Sequence, residues 1–163
     1  MADETLLCLL KEVRTKTLSR LAGVNEQDAR WTPSGIHNHL LWHAGHCYVV
    51  VEWLTARAVG RPPEIPASWF ELFSWESDPA KTPPASWPLL ATVLRALEDQ
   101  QDRLAQWISE AESSLWGQPA AESPQHTRRR QVVHGLHDEA CHAGEIWLLR
   151  KQLDLRHTPP CDS

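Results

Sequence analysis

Four stretches of the chain repeat their apolar residues at the spacing of one helix face, and this repetition constrains the fold most. The clearest covers residues 89–112, where Leu90, Val93, Leu94, Leu97, Leu104, Trp107 and Ile108 fall three or four apart. A 3.6-residue period leaves one apolar stripe that must find a partner surface. Residues 3–22 place Leu6, Leu10, Val13 and Leu21 in the same way, with Lys11, Arg14, Lys16 and Arg20 on the other faces. A third stretch, from Pro33 to about Arg57, carries Leu40, Leu41, Val50, Val51, Trp53 and Leu54. The fourth, from Ser123-Pro124 to about Leu153, carries Val132, Val133, Leu136, Ile146, Trp147 and Leu149. No stretch of any length alternates as a half-buried strand does, and there is no internal repeat. The expectation is an all-α chain, an up-down four-helix bundle with a long crossover between the second and third helices.

Start and stop signals frame these helices. Asp3 caps the first and Gly23 ends it. Thr32-Pro33, with Ser34 as an alternative cap, opens the second, and Gly60 with Pro62-Pro63 closes it. Ser86 is a cap for the third, and Ser123-Pro124 reads as cap and first-turn proline of the fourth. The crossover, 61–88, holds seven of the twelve prolines. Its Trp69, Phe70, Phe73 and Trp75 argue against disorder and point to a short helix packed over one end of the bundle, as a wall of any site there. A length of 163 residues suits one domain, 1–158, followed by a loose tail, 159–163.

A net charge of −5 argues against a general nucleic-acid binder. The one basic cluster, Arg128-Arg129-Arg130, reads as a solvated first turn of a helix. Cys8, Cys47, Cys141 and Cys161 have no CxxC spacing, which fits a reduced, cytoplasmic protein. The longest apolar run, Cys47 to Val51, is far short of a membrane span.

Seven of the nine histidines fall in two windows, 35–46 and 134–145. On a helix, residues three or four apart are neighbours. His39, His43 and His46 then share one face of the second helix, and His134, Asp138 and His142 share one face of the fourth. His137, five residues from His142, points away by roughly 140°. Imidazole and carboxylate are good donors to zinc, nickel or ferrous iron, so two facing helices of this kind can hold a metal ion between them. The bland readings are core histidines with ordinary hydrogen bonds, and an Asp138–His142 ion pair on a helix surface.

Trp31-Thr32-Pro33, Leu40-Leu41-Trp42-His43 and Asp138-Glu139-Ala140-Cys141-His142-Ala143-Gly144-Glu145-Ile146 resemble the DinB-like (YfiT-like) superfamily of metal-dependent enzymes over residues 5–155. The resemblance implies a four-helix bundle, often a homodimer, with one divalent metal: zinc or nickel first, iron after them. Carried over by position, its ligands are His43, Asp138 and His142. Asp138 stands where many members have histidine, and Glu145 where many have glutamine. Glu145 and His46 are the candidates to move protons, and His39, His46 or His134 can join or replace a ligand. The implied chemistry is hydrolysis, or transfer to a low-molecular-weight thiol such as bacillithiol or mycothiol, on a small-molecule substrate in a bacterial cytoplasm, with no nucleic-acid or membrane partner. The alternative is a non-catalytic, dimeric metal-binding or stress-response module.

Overall fold

The computed structural model describes residues 2–157. In chain order it contains α1 (Glu4–Leu21), α2 (Glu26–Ala29), α3 (Leu40–Ala58), α4 (Trp69–Phe73), α5 (Leu90–Glu110), the short strands β1 (Pro119–Ala120) and β2 (Ser123–Thr127), and α6 (Arg128–His157). The fold is almost entirely helical, as the periodicity requires. The tail 159–163 lies outside the described residues.

The core is split by a polar layer. One apolar cluster gathers Leu21, Leu41, Val49, Phe73, Leu90, Leu97, Ile146 and Leu149. The other gathers Leu6, Leu10, Val51, Leu104, Ile108, Val132 and Leu136. Between them sit Arg14, Glu52, Gln100 and Glu139, all fully buried and one from each long helix. Arg14 makes a bidentate pair with Glu139, at 2.8 and 2.9 Å, and donates to the Leu97 carbonyl at 2.6 Å and to Gln100 Oε1 at 2.8 Å. Gln100 Nε2 in turn donates to the Tyr48 carbonyl and to Glu52 Oε2, both at 2.9 Å. Nearly all of the guanidinium's donors therefore find acceptors, which is the condition for burying a charge.

These contacts also give the helix directions. Asp3, Arg14 and the Arg20 carbonyl meet Arg129, Glu139 and Arg150 in that order, so α1 and α6 run parallel. Tyr48 and Glu52 meet Gln100 and Arg103, and Arg61 meets Glu110, so α3 and α5 also run parallel. Leu54 meets Gln131 while His43 meets His142, so α3 opposes α6. The strict alternation expected from the sequence is thus replaced by two parallel pairs of opposite sense. The crossover 59–89 carries the chain back along the whole bundle, so α5 restarts beside the beginning of α3.

Two helix starts lie later than the punctuation suggested. Pro33 and Ser34 open a turn, closed by Ile36 N–H donating to the Pro33 carbonyl, with Gly35 at φ +84°. The helix then begins at Leu40, capped by His39, whose Nδ1 accepts from the Trp42 amide at 3.0 Å. Ser123-Pro124 belongs to β2, and α6 starts after Thr127, whose hydroxyl accepts from the Arg130 amide. Nor does Ser86 cap α5: the Leu90 amide instead donates to Glu26 Oε2 at 3.0 Å, reaching across from α2. Asp3 caps α1 as expected.

Removing one half of the buried ion pair strands the other. Glu139→Ala is expected to cost about 3–5 kcal/mol, while Arg14→Met combined with Glu139→Leu should cost much less than the sum of the single changes. Urea unfolding of the three variants checks this. Additive losses would remove the pair from its place at the centre of the fold.

Candidate metal centre

The site is built where α3 approaches α4 and α6. Gly45 makes the first approach possible: a Cβ there would lie 2.3–2.5 Å from the Phe73 ring, so only glycine lets that ring rest on the helix. The close packing brings the Phe73 carbonyl to 2.6 Å from His46 Nδ1. A carbonyl only accepts, so Nδ1 carries the proton and Nε2 of the neutral ring is a bare lone pair. Trp42 stacks on the other side of His46, with centroids 4.6 Å apart, and its indole N–H is held by Ser77 Oγ at 2.8 Å. The crossover thus walls this end of the bundle through Phe73, Ser77 and Trp87, whose ring meets His39 edge-on.

Helix α6 supplies the opposing groups. His142 Nδ1 lies 2.7 Å from Glu145 Oε2 and 2.9 Å from His43 Nδ1. The carboxylate is the stronger acceptor, so Nδ1 donates to it, and His142 Nε2 is also left bare. That nitrogen lies 3.6 Å from Asp138 Oδ2, and His46 Nε2 lies 3.5 Å from the same oxygen. Asp138 Oδ2 is buried and accepts no hydrogen bond. Three acceptors therefore converge with no proton between them.

Two groups of donor atoms, His46–Asp138–His142 and His43–His142–Glu145, each lie within 4.8 Å of one another and could hold a metal ion. Their spacings differ. Donors on a tetrahedral ion with bonds of ~2.0–2.2 Å stand roughly 3.3–3.6 Å apart. The first group has that spacing at both of its carboxylate edges. The second, at 2.7, 2.9 and 3.3 Å, has the shorter spacing of a hydrogen-bonded triangle.

Electrostatics disfavour the charged form of His39, His43 and His142. Burial pushes His43 down to about 3, helped by His142, His46 and His39 nearby. Burial, with Arg30 beside it, pushes His39 down to about 4. His142 is lowered chiefly by burial and by His46.

Of the residues singled out in the sequence, His43, His46, Asp138, His142 and Glu145 come together. His43 faces Glu145 and His142 Nδ1 rather than Asp138. His39 is a helix cap. His134 is exposed, one turn from Asp138; His137 lies near Cys141, and Cys47 is buried. Phe73 belongs to the crossover wall expected from the sequence, but the part played by its carbonyl, and that of Ser77, had no signal of its own. The nearest hint was Gly45, since a glycine inside an apolar helix marks a close approach.

The sequence model of the DinB superfamily matches residues 9–146. The chain belongs to the DinB superfamily. A conserved protein of Enterococcus faecalis, known from its crystal structure, is 13% identical, with a TM-score of 0.75 over 93% of this chain and 96% of that one. At that identity the likeness is one of fold. No curated protein matches this DinB-superfamily chain. No helix among the described residues is long and apolar enough to cross a membrane.

The neutral histidines make stability depend on pH. Below the ordinary histidine value of 6.5, unfolded His39 and His43 take up protons that the folded chain refuses until about pH 4 and about pH 3. The unfolded state binds more protons, so stability falls as pH drops from 6.5 toward 4, by up to about 1.4 kcal/mol per pH unit for each histidine. Urea unfolding of metal-free protein across that window tests the slope. His39→Asn keeps a capping oxygen and is expected to lose one histidine's share.

Proposed function

We propose that this chain is a metal-dependent enzyme that holds one divalent ion, zinc or nickel first and iron after them, on His46, Asp138 and His142. The observation that carries this reading is the buried Asp138 Oδ2, which accepts no hydrogen bond and is faced by two nitrogens locked in the unprotonated form. Such an arrangement leaves three acceptors unpaired, and a cation between α3 and α6 satisfies all of them. In the set inferred from family resemblance, His43 filled the place this proposal gives to His46.

When bound, the ion supplies Lewis-acid activation of a water for hydrolysis or of a low-molecular-weight thiol for transfer. The chain's own groups divide the remaining work. Phe73 and Glu145 fix the tautomers of His46 and His142, which sets the direction of both lone pairs. The Glu145 side chain is 56% exposed, so its carboxylate also meets solvent and can pass a proton between His142 Nδ1 and the outside. His43 stays neutral, with its Nδ1 2.9 Å from the same His142 nitrogen. A cavity of about 360 Å³, lined by Ile36, His43, Glu145 and Leu148 among others, gives a small substrate access to this side. A single domain over 1–158, a cytoplasmic location and a homodimer belong to the same proposal. The exposed Trp147, Leu148 and Leu155 on α6 favour the dimer.

Elemental analysis of untagged protein is expected to find about one zinc or nickel ion per chain. His46→Ala and Asp138→Asn should abolish binding, and Glu145→Gln should weaken it by about 10–100-fold. His43→Ala should retain the ion. A chain that binds no metal, and whose melting temperature ignores added zinc and nickel, would overturn the reading. Turnover of ester, amide or thiol-transfer substrates that disappears in Asp138→Asn separates an enzyme from a purely structural metal module.

A further inference from the structure

One part of the sequence plays no role in the metal centre: the run Arg128-Arg129-Arg130. Its three guanidinium groups have different surroundings. Arg128 donates to the Ala58 carbonyl at 3.0 Å, closing the end of α3. Arg129 pairs with Asp3 at 2.8 Å, closing the start of α1. Arg130 has no carboxylate partner among the described residues; its guanidinium donates to His126 Nδ1 at 2.8 Å. It lines a cavity of about 300 Å³ between the hairpin and the first two turns of α6.

The walls of that cavity define what it can hold. Leu54 and Ala120 give it an apolar side, and Ser123, His126, Gln131 and His134 add polar groups. Glu122 is the one carboxylate in the lining, and Arg57 pairs with it. Gln131 spends its amide N–H on the Leu54 carbonyl at 3.1 Å and so stays fixed. The formal charges of Arg57, Glu122 and Arg130 leave an excess of one positive charge, on a chain whose net charge is −5. A local cation facing a walled cavity on an acidic protein favours a small anion.

We propose that this cavity binds a small molecule bearing an oxyanion, a carboxylate or a phosphate, with Arg130 as its anchor. The volume is at the small end of ligand pockets and suits a metabolite-sized body resting on Leu54 and Ala120. His134, in the lining, lies one turn before Asp138 on α6, and Asp138 itself is not part of the lining. The anchoring itself does not depend on a metal being bound.

The test is a titration of ¹⁵N-labelled, metal-free protein with inorganic phosphate, with succinate, and with neutral succinamide as a control. Saturable shifts of the Ser123, Gln131 and His134 amides are expected with phosphate or succinate and not with succinamide. Whichever of the two binds more tightly identifies the oxyanion. Arg130→Gln should weaken binding by at least about tenfold, and Arg130→Lys, which keeps the charge, by less. Asp138→Asn should leave it intact, so failure of the metal reading and failure of this one are separable. The proposal is overturned if neither anion gives saturable shifts, if succinamide binds equally well, or if Arg130→Gln binds unchanged.

Discussion

The fold turns on a guanidinium that has no route to water. Arg14 lies at the centre of the bundle, fully buried, and survives there because Glu139, Gln100 and the Leu97 carbonyl accept its protons. A buried charge tolerates only the geometry that satisfies it, whereas apolar stripes slide and rotate at modest cost. The pair therefore fixes how far α6 is advanced and rotated against α1 and α5, and Gln100 extends that constraint to Glu52 on α3. Asp138 precedes Glu139 on the same helix and lies roughly 100° around it. With Glu139 held inward by Arg14, Asp138 faces the groove toward α3. The candidate metal centre thus inherits its position from an interaction that takes no part in it.

Within the centre, the direction of protons matters more than the number of histidines. His46 donates to the Phe73 carbonyl and His142 to Glu145, so both present an unprotonated Nε2 to the same buried oxygen. His43 is equally buried and its Nδ1 lies 2.9 Å from His142 Nδ1, but it belongs to a triangle of hydrogen-bond lengths. Similar residues three positions apart on one helix therefore take different parts. The difference comes from a backbone carbonyl in the crossover, held in place because Gly45 has no side chain.

Much of this was legible in the sequence. Leu90 to Ile108 and Leu6 to Leu21 encode their helices in their spacing, and the two histidine windows fall on the two helices that bring His46, Asp138 and His142 together. Boundaries were less legible. His39 is an uncommon cap, so the start of α3 was assigned to Thr32-Pro33, whose punctuation serves a turn instead. Strands of two and five residues are too short to carry a period, so Ser123-Pro124 resembled a helix start. The alternating order failed because the long crossover can return the chain to either end of a bundle. The ground for proposing His46 rather than His43 is not local: helical spacing places both on one face, and Phe73, which sets the His46 tautomer, lies 27 residues from His46.

The central claim is that a cation completes the convergence of His46, Asp138 and His142. Anomalous diffraction from zinc-soaked crystals, collected at the zinc edge, tests it most directly. The account predicts one strong peak bonded to His46 Nε2, Asp138 Oδ2 and His142 Nε2 at ~2.0–2.2 Å. A peak bonded instead to His43 and Glu145, or an ordered site with no peak, would contradict it.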